Sequence, residues 1–267
     1  MGTGDCTHPS WLKELKSNLV EYSNGIYYTP KAPSVYFIMQ TEIEAIWNYN
    51  CHIKKIHFVI LFPNFERLDE SLEYISRFGD IRKEGRVKLY KPAENLVYGL
   101  KSIDSRIEII PAHIFTPYYV IFGNHSRFSN LKEALGDSVS LIYAVESGLS
   151  ADPFMIRSIS GLNDNTVISN SDSHSTSYHR LGREANQIYL NKLDFQNLID
   201  SIRNNKIIKT YEFKSSAGKY YYDGHRKERH RNNKDYFCSP KLKRENCPFC
   251  GKELTRGVLA QVYKLCD

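Results

Sequence analysis

Through the first 213 residues, short runs of β-branched and aromatic residues alternate with stretches in which apolar positions recur every three to four residues. That alternation of strands and amphipathic helices is the signature of an α/β fold. The pattern predicts strands at Val35–Gln40, Ile56–Phe62, Ile107–Pro111, Leu141–Val145, Thr166–Ser169 and Ile207–Phe213. Most of these runs are continuously apolar, as parallel strands buried on both faces are. Ser10 is placed to cap a helix carrying Trp11, Leu12, Leu15 and Leu19, and Asn64 one carrying Leu68, Leu72 and Ile75. Further helices are expected at Ala93–Ile103, around Leu131–Leu135, at Pro153–Ser160 and at Asp194–Asn205. No internal repeat or low-complexity tract interrupts the pattern. It stops near Ser215-Ser216-Ala217-Gly218, which divides the chain into residues 1–214 and 215–267.

With 267 residues, 41% of them hydrophobic and 13% aromatic, the chain has the material for a buried core, and collagenous, coiled-coil and disordered classes are excluded. No run approaches the roughly 18 apolar residues of a membrane helix, and MGTGDCTHPS lacks a secretory pattern. A cytoplasmic protein with no membrane partner is therefore expected. In that compartment six cysteines point to metal or packing rather than disulfides. Cys238, Cys247, Cys250 and Cys266 gather near the C-terminus, whereas Cys6 and Cys51 read as packing residues.

Charge sharpens the division. Between residues 214 and 256 there are 12 Lys and Arg against 5 Asp and Glu, so the whole net charge of +6 resides there and the remainder is close to neutral. Tyr220, Tyr221, Tyr222, Tyr236, Phe237 and Phe249 interleave with those cations. Phosphate neutralisation with some base stacking uses this composition, and so does a solvated basic tail.

In parallel α/β sheets the chemistry sits where strands end. Here VYFIMQ runs into Glu42, IEIIP into His113, LIYAV into Glu146, and TVISNS into Asp172 and His174. Asp5 in GTGD is a fifth candidate at the head of the chain. Hard oxygen ligands mixed with imidazoles suit Zn, Mn, Fe or Mg in a multinuclear hydrolytic centre. Taken singly, Glu42 or Glu146 reads as readily as a helix cap, and His57, which opens HFVILF, as a core histidine. Asp172-x-His174, beyond an apolar strand among Ser and Asn, has few such alternatives.

The tail holds a separate signal. Cys247-Pro248-Phe249-Cys250-Gly251-Lys252 is a CPxCG knuckle, in which two thiolates three residues apart grip one zinc and the glycine permits the tight turn. A second CxxC is absent. Cys238 is the expected third ligand, and the fourth is open among Asp235, His225, His230 and Cys266, with His225 preferred.

Several blocks together resemble the endonuclease Q family: GTGDCTHPSW (Gly2 to Trp11), QTEIE around Glu42, IPAHIFTPYY (Ile110 to Tyr119), ESGLSADP (Glu146 to Pro153), SNSDSHS (Ser169 to Ser175), LGREAN (Leu181 to Asn186), GKYYYDGHRK (Gly218 to Lys227) and CPFCGKELTRGVL (Cys247 to Leu259). The resemblance implies a distorted (βα)7 barrel of the PHP type with its metal centre at the carboxyl end, and a small zinc-ribbon-like C-terminal domain. It implies an Mg- or Mn-dependent endonuclease that nicks double-stranded DNA 5′ of deaminated bases, uracil or hypoxanthine, or at abasic sites. Asp172 and His174 match the SDxH ligands, and Asp172 an aspartate required for cleavage. His113 matches the PAH ligand, and Asp5, Glu42, His57 and Glu146 further metal positions. Arg180 and Arg183 are placed to touch phosphate or a helix surface.

Two departures stand out. The family's Asp-x-His-x-His motif precedes the GTGD block, so the barrel is expected to be truncated at its N-terminus. In the tail, Glu228 stands where bacterial relatives place a cysteine. The alternatives are a catalytically impaired DNA-binding remnant and a PHP-type small-molecule phosphoesterase, the latter having little use for a basic zinc appendage.

Overall fold

A computed structural model describes residues 1–83 and 86–266. The chain opens with helix α1 (Pro9–Asn18) and an antiparallel meander, β1 (Val20–Ser23), β2 (Ile26–Thr29) and β3 (Ala32–Phe37). The centre follows: β4 (Met39–Tyr49), β5 (His52–Phe62), α2 (Phe65–Ile75), β6 (Val87–Leu89), α3 (Ala93–Ile103) and β7 (Glu108–Pro111). Next come α4 (Leu131–Leu135), β8 (Ala144–Glu146), α5 (Pro153–Arg157), β9 (Thr166–Ile168), β10 (Ala185–Ile188), α6 (Phe195–Arg203) and β11 (Ile207–Tyr211). The tail forms β12 (Asp223–His225), β13 (Tyr236–Cys238) and α7 (Val258–Leu265).

The expected parallel strands are largely antiparallel. The central sheet runs β6-β4-β5-β7, and among the named strands of the described residues the parallel pairings are β4–β6 and β8–β9. A continuous apolar run reports burial on both faces, whatever the strand direction. The reversal comes from a two-residue turn, Asn50-Cys51, with φ of 49° and 62°. Two successive positive φ angles fit the primed turns that match strand twist, and they join β4 and β5 over 11 register pairs. The hairpin takes Cys51 to the surface, so it is not a packing residue, whereas Cys6 is fully buried. The meander and β10 were not expected from the pattern.

Helix boundaries differ where caps were misread. Ser10 lies inside α1, whose cap position is His8 with Pro9 at the first turn. Asn64 does cap α2, its side chain accepting from Arg67 N at 2.9 Å. Asp194 and Asp152 likewise cap α6 and α5, and α5 ends at Arg157 rather than Ser160.

The main core runs from α1 and the β4–β5 hairpin through α3 and the 114–128 loop to Val258 and Val262 of α7. A second apolar cluster, with Val59, Leu61, Ile110, Ile168, Phe195 and Ile202, lies between the sheet and α6. In the tail, buried Asp223 accepts from Gly257 N at 2.7 Å and pairs with Arg256 at 2.9 Å. Asn124 receives Gln261 at 2.6 Å and donates to the Arg256 carbonyl at 2.7 Å, tying the 114–128 loop to the tail. No helix of the described residues is long and apolar enough to cross a membrane.

Candidate metal centre and tail cluster

A cavity of about 970 Å³ opens between the N-terminal residues Gly2–Asp5 and the segments carrying Ile168, Asp172 and His174. Its lining joins the aliphatic second cluster to Glu42, Arg86, His113, Glu146 and Asn170. Glu42 reaches it from the middle of β4, and His57, behind it on the middle of β5, touches Glu42 and His113 without lining the cavity; neither residue stands at a strand end. Side chains alternate along a strand, so Glu42 and Glu44 share one face, and Glu44 lies directly opposite His57 in the register.

Glu42, His57 and His113 form the tightest donor group here, each offering an atom within 4.8 Å of the others. Glu42 Oε1 lies 3.1 Å from His113 Nε2 and 3.5 Å from His57 Nδ1, and the two ring nitrogens are 3.3 Å apart. An ion with bonds of ~2.1 Å in a tetrahedral field sets its donors ~3.4 Å apart, so this group fits a single divalent ion. On the far side of His57, Nε2 lies 3.3 Å from Glu44 Oε1, the carboxylate behind an imidazole that fixes its tautomer at metal sites.

The electrostatics follow from crowding. Burial favours neutral Glu42, yet the His113 hydrogen bond and the charges of His113, Arg86 and His57 outweigh it and hold the carboxyl at about 2. Burial also opposes a charged His113, but the Glu42 hydrogen bond and the charges of Glu42, Glu146 and Asp172 raise it. His57, chiefly through burial, is lowered.

The remaining candidates have different surroundings. Glu146 ends β8 fully enclosed, and burial pushes it up to about 7. Its oxygens accept from His113 N at 2.9 Å and Asn170 Nδ2 at 2.7 Å, so it holds the loop that carries His113. That loop is tight. His113 has φ of 33°, and a Cβ on Gly148 would stand 2.7 Å from His113 Cβ, so only glycine fits opposite it. Asp172, with φ of 42°, lines the cavity and lies 3.2 Å from the exposed His174. Asp5 also lines the cavity but is outside the Glu42 group. Arg183 donates to the carbonyls of Ser171 at 2.7 Å and Asp172 at 3.3 Å, bracing the Asp172 loop, while Arg180 is exposed. Arg86, which the sequence pattern did not mark out, sets its Nε 2.7 Å from Glu42 Oε1.

In the tail, the structure gathers His225, His230, Cys247 and Cys250 within 4.8 Å of one another. His230 Nε2 is 3.1 Å from Cys247 Sγ, and His225 Nδ1 is 3.4 Å from Cys250 Sγ. Cys238 is not in this group. It ends β13 opposite Asp223 and packs with Cys247 and Leu254, and His230 takes the place expected for it. Cys266 is exposed at the end of α7. Burial would raise the Cys247 thiol, but the backbone N–H groups of Phe249 and Cys250 and the approach of His230 bring it below the usual thiol value. Two thiolates and two imidazoles at these spacings fit a closed tetrahedral zinc site.

No protein-family model matches the chain. It is 28% identical along its whole length to the uncharacterized protein YqxK of Bacillus subtilis, of which it covers 66%. Over 135 residues, 46% of this chain, it is 39% identical to an uncharacterized protein of Methanocaldococcus jannaschii, covering 16% of that protein. Among solved structures it is similar to the lesion-specific endonuclease PfuEndoQ of Pyrococcus furiosus, with 28% identity and a TM-score of 0.81. It is also similar to Endonuclease Q in complex with a 27-mer duplex carrying an abasic lesion at the active site, with 29% identity and a TM-score of 0.82. Both matches cover all of this chain and 62% and 63% of the solved chains, so it spans less than two thirds of their length. The mixed α/β architecture agrees with both matches, and the chain has an endonuclease Q-like fold.

Proposed function

We propose that this chain is a metal-dependent DNA repair endonuclease, cytoplasmic, that nicks duplex DNA 5′ of uracil or hypoxanthine, or at abasic sites. Residues 1–214 are assigned to a distorted PHP-type barrel and residues 215–267 to a zinc-binding, DNA-contacting unit. The observation that carries this reading is the Glu42–His57–His113 group at a roomy cavity, in a fold similar to that of an endonuclease crystallised on an abasic duplex.

In this reading Glu42, His57 and His113 hold a divalent ion, Mg or Mn, and Asp172 and His174 supply further ligands at the cavity rim. When bound, such ions polarise a scissile phosphate and acidify a water toward neutrality. Glu44 keeps the His57 Nε2 proton, which leaves Nδ1 free to ligate. Glu146 and Gly148 fix the main chain of His113, and Arg183 fixes that of Asp172. Extrusion of the lesion into the cavity costs least for a missing or mispaired base, a source of selectivity that needs no sequence readout. In the tail, His225, His230, Cys247 and Cys250 take zinc, and the surrounding Lys and Arg neutralise phosphates.

The test is a nicking assay on labelled duplexes carrying one uracil, inosine or abasic site, with Mg or Mn, against Asp172→Ala. Lesion-dependent cleavage that disappears in the variant supports the reading. Cleavage equal in both sinks it. A second reading, an impaired DNA-binding remnant, is favoured by Arg86 resting on the very oxygen a metal would use, and it forecasts salt-sensitive duplex binding without a nick.

A further inference from the structure

Arg86 stands at the junction of two incompatible demands. Its Nε lies 2.7 Å from Glu42 Oε1, and its Nη1 lies 3.2 Å from His57 Nε2. A guanidinium only donates, so the second contact requires His57 Nε2 to be unprotonated. The same nitrogen lies 3.3 Å from Glu44 Oε1, a carboxylate that requires it to be protonated. One imidazole nitrogen cannot serve both. With Nε2 accepting from Arg86, the His57 proton sits on Nδ1, the atom facing Glu42 and His113, and His57 is no ligand. With the proton on Nε2 and directed at Glu44, Nδ1 is free to ligate and Arg86 has lost its acceptor.

Charge leads to the same place. Glu42 Oε1 is approached by His113, His57 and Arg86 together. A divalent ion held by this group would take over the charge that Arg86 now supplies. Among the described residues no second acid pairs with the guanidinium, and its side chain, only a quarter exposed, lines the same cavity as Asp172 and His174.

We propose that Arg86 is a resident counter-cation of the Glu42–His57–His113 group that a divalent ion displaces on loading, and that the displaced guanidinium becomes a phosphate contact in the cavity. The tautomer of His57 is the device that makes the two states exclusive, and Glu44 is the group that stabilises the loaded one. The planar fork of arginine suits both partners, a carboxylate in one state and two phosphate oxygens in the other. This rests on reading the Glu42 group as a metal site.

The experiment is a Mn²⁺ titration of the full, zinc-loaded chain followed by electron paramagnetic resonance, comparing wild type, Arg86→Gln, Arg86→Lys, and Arg86→Gln combined with Glu42→Gln. If Arg86 competes, Arg86→Gln binds Mn²⁺ about tenfold more tightly, which at equilibrium is about 1.4 kcal/mol. Arg86→Lys, which keeps the charge without the fork, falls between. In the Glu42→Gln background the advantage vanishes. The second arm measures abasic-duplex affinity at saturating Mn²⁺, where Arg86→Gln is the weaker binder. Equal or weaker Mn²⁺ affinity in Arg86→Gln overturns the inference and leaves the metal site standing. If neither wild type nor variant takes up Mn²⁺ at the Glu42 group, the metal reading falls and the inference with it.

Discussion

The two donor clusters of this chain are built in opposite ways. The Glu42 group has one oxygen and two nitrogen donors, carried on long paired strands and a braced loop, and it faces a large cavity. The tail group has two nitrogens and two sulfurs, carried on short strands and turns, with three of its four residues buried. Strands hold the first set in place through 11 register pairs whether or not an ion is present. The second rests on a small cluster around Cys238, Cys247 and Leu254 and on the Asp223 contacts with Arg256 and Gly257, with far less paired strand than the first. A preformed open site suits chemistry, and a site that must be closed by its ion suits architecture.

The strongest way to break this comparison is to remove the zinc proposed for the tail. Structural zinc is worth about 10–16 kcal/mol of apparent binding free energy, most of it expressed as folding. Cys250→Ser is therefore expected to abolish zinc retention and to release residues 223–257 to fast hydrogen exchange, while amides of β4 and β5 stay protected. Exchange followed by mass spectrometry reads both regions at once. Loss of β4–β5 protection would show that the tail is no separate unit. Some loosening of the main core is expected, because α7 buries Val258 and Val262 in it.

A smaller effect is forecast for Glu44→Gln. Removing the carboxylate behind a metal-ligating histidine costs about 10–100-fold in metal affinity, and Glu44 is 6% exposed with Oε2 unpaired among the described residues. Mn²⁺ affinity should fall in that range with the melting temperature nearly unchanged. An unchanged affinity would remove Glu44 from any role in orienting His57.

How far the sequence reached differs between the two clusters for a physical reason. The tail knuckle is local, two cysteines on one turn, and it was legible as such. His230 was one of several candidates, because only the fold brings it 3.1 Å from Cys247. Around the cavity, Asp172, His174 and His113 were legible as polar groups just past apolar runs. Glu44 and Arg86 were not: a second glutamate on a strand and an arginine before Val87 look like surface residues, and only the β4–β5 register and the β4–β6 pairing bring them to His57. Strand direction was missed because Asn50-Cys51 lacks the glycine that normally marks a two-residue hairpin.

Outside both clusters, Glu212 directly follows β11, and burial pushes it up to about 7, with the charges of Glu184 and Asp152 adding to it. The folded state then holds a proton that the unfolded chain gives up near its ordinary value of 4.5. Stability falls as pH rises from about 4.5 through 7, since the native state binds more protons in that window. Glu212 is only about half enclosed, so solvent screening reduces the effect to about 1 kcal/mol. Glu212→Gln is expected to stabilise the chain by that amount at pH 8 and to leave it unchanged at pH 4. Urea unfolding at the two pH values tests the sign, and equal effects at both would assign the shift to packing.

The smallest expected effect probes the rigid side of the comparison. Cys51 holds φ of 62° on the exposed turn of the β4–β5 hairpin, a conformation that costs an L side chain about 1 kcal/mol relative to glycine. Glycine also gains entropy in the unfolded chain, which takes back part of that difference. Cys51→Gly should therefore raise the melting temperature by about 1–2 °C at this chain length. Because the hairpin is already set by its register, the substitution should leave Mn²⁺ affinity and tail zinc content as they are. A gain in Mn²⁺ affinity would mean that the strands carrying Glu42 and His57 are not rigid without the ion, and the contrast between a preformed and an ion-closed site would have to be given up.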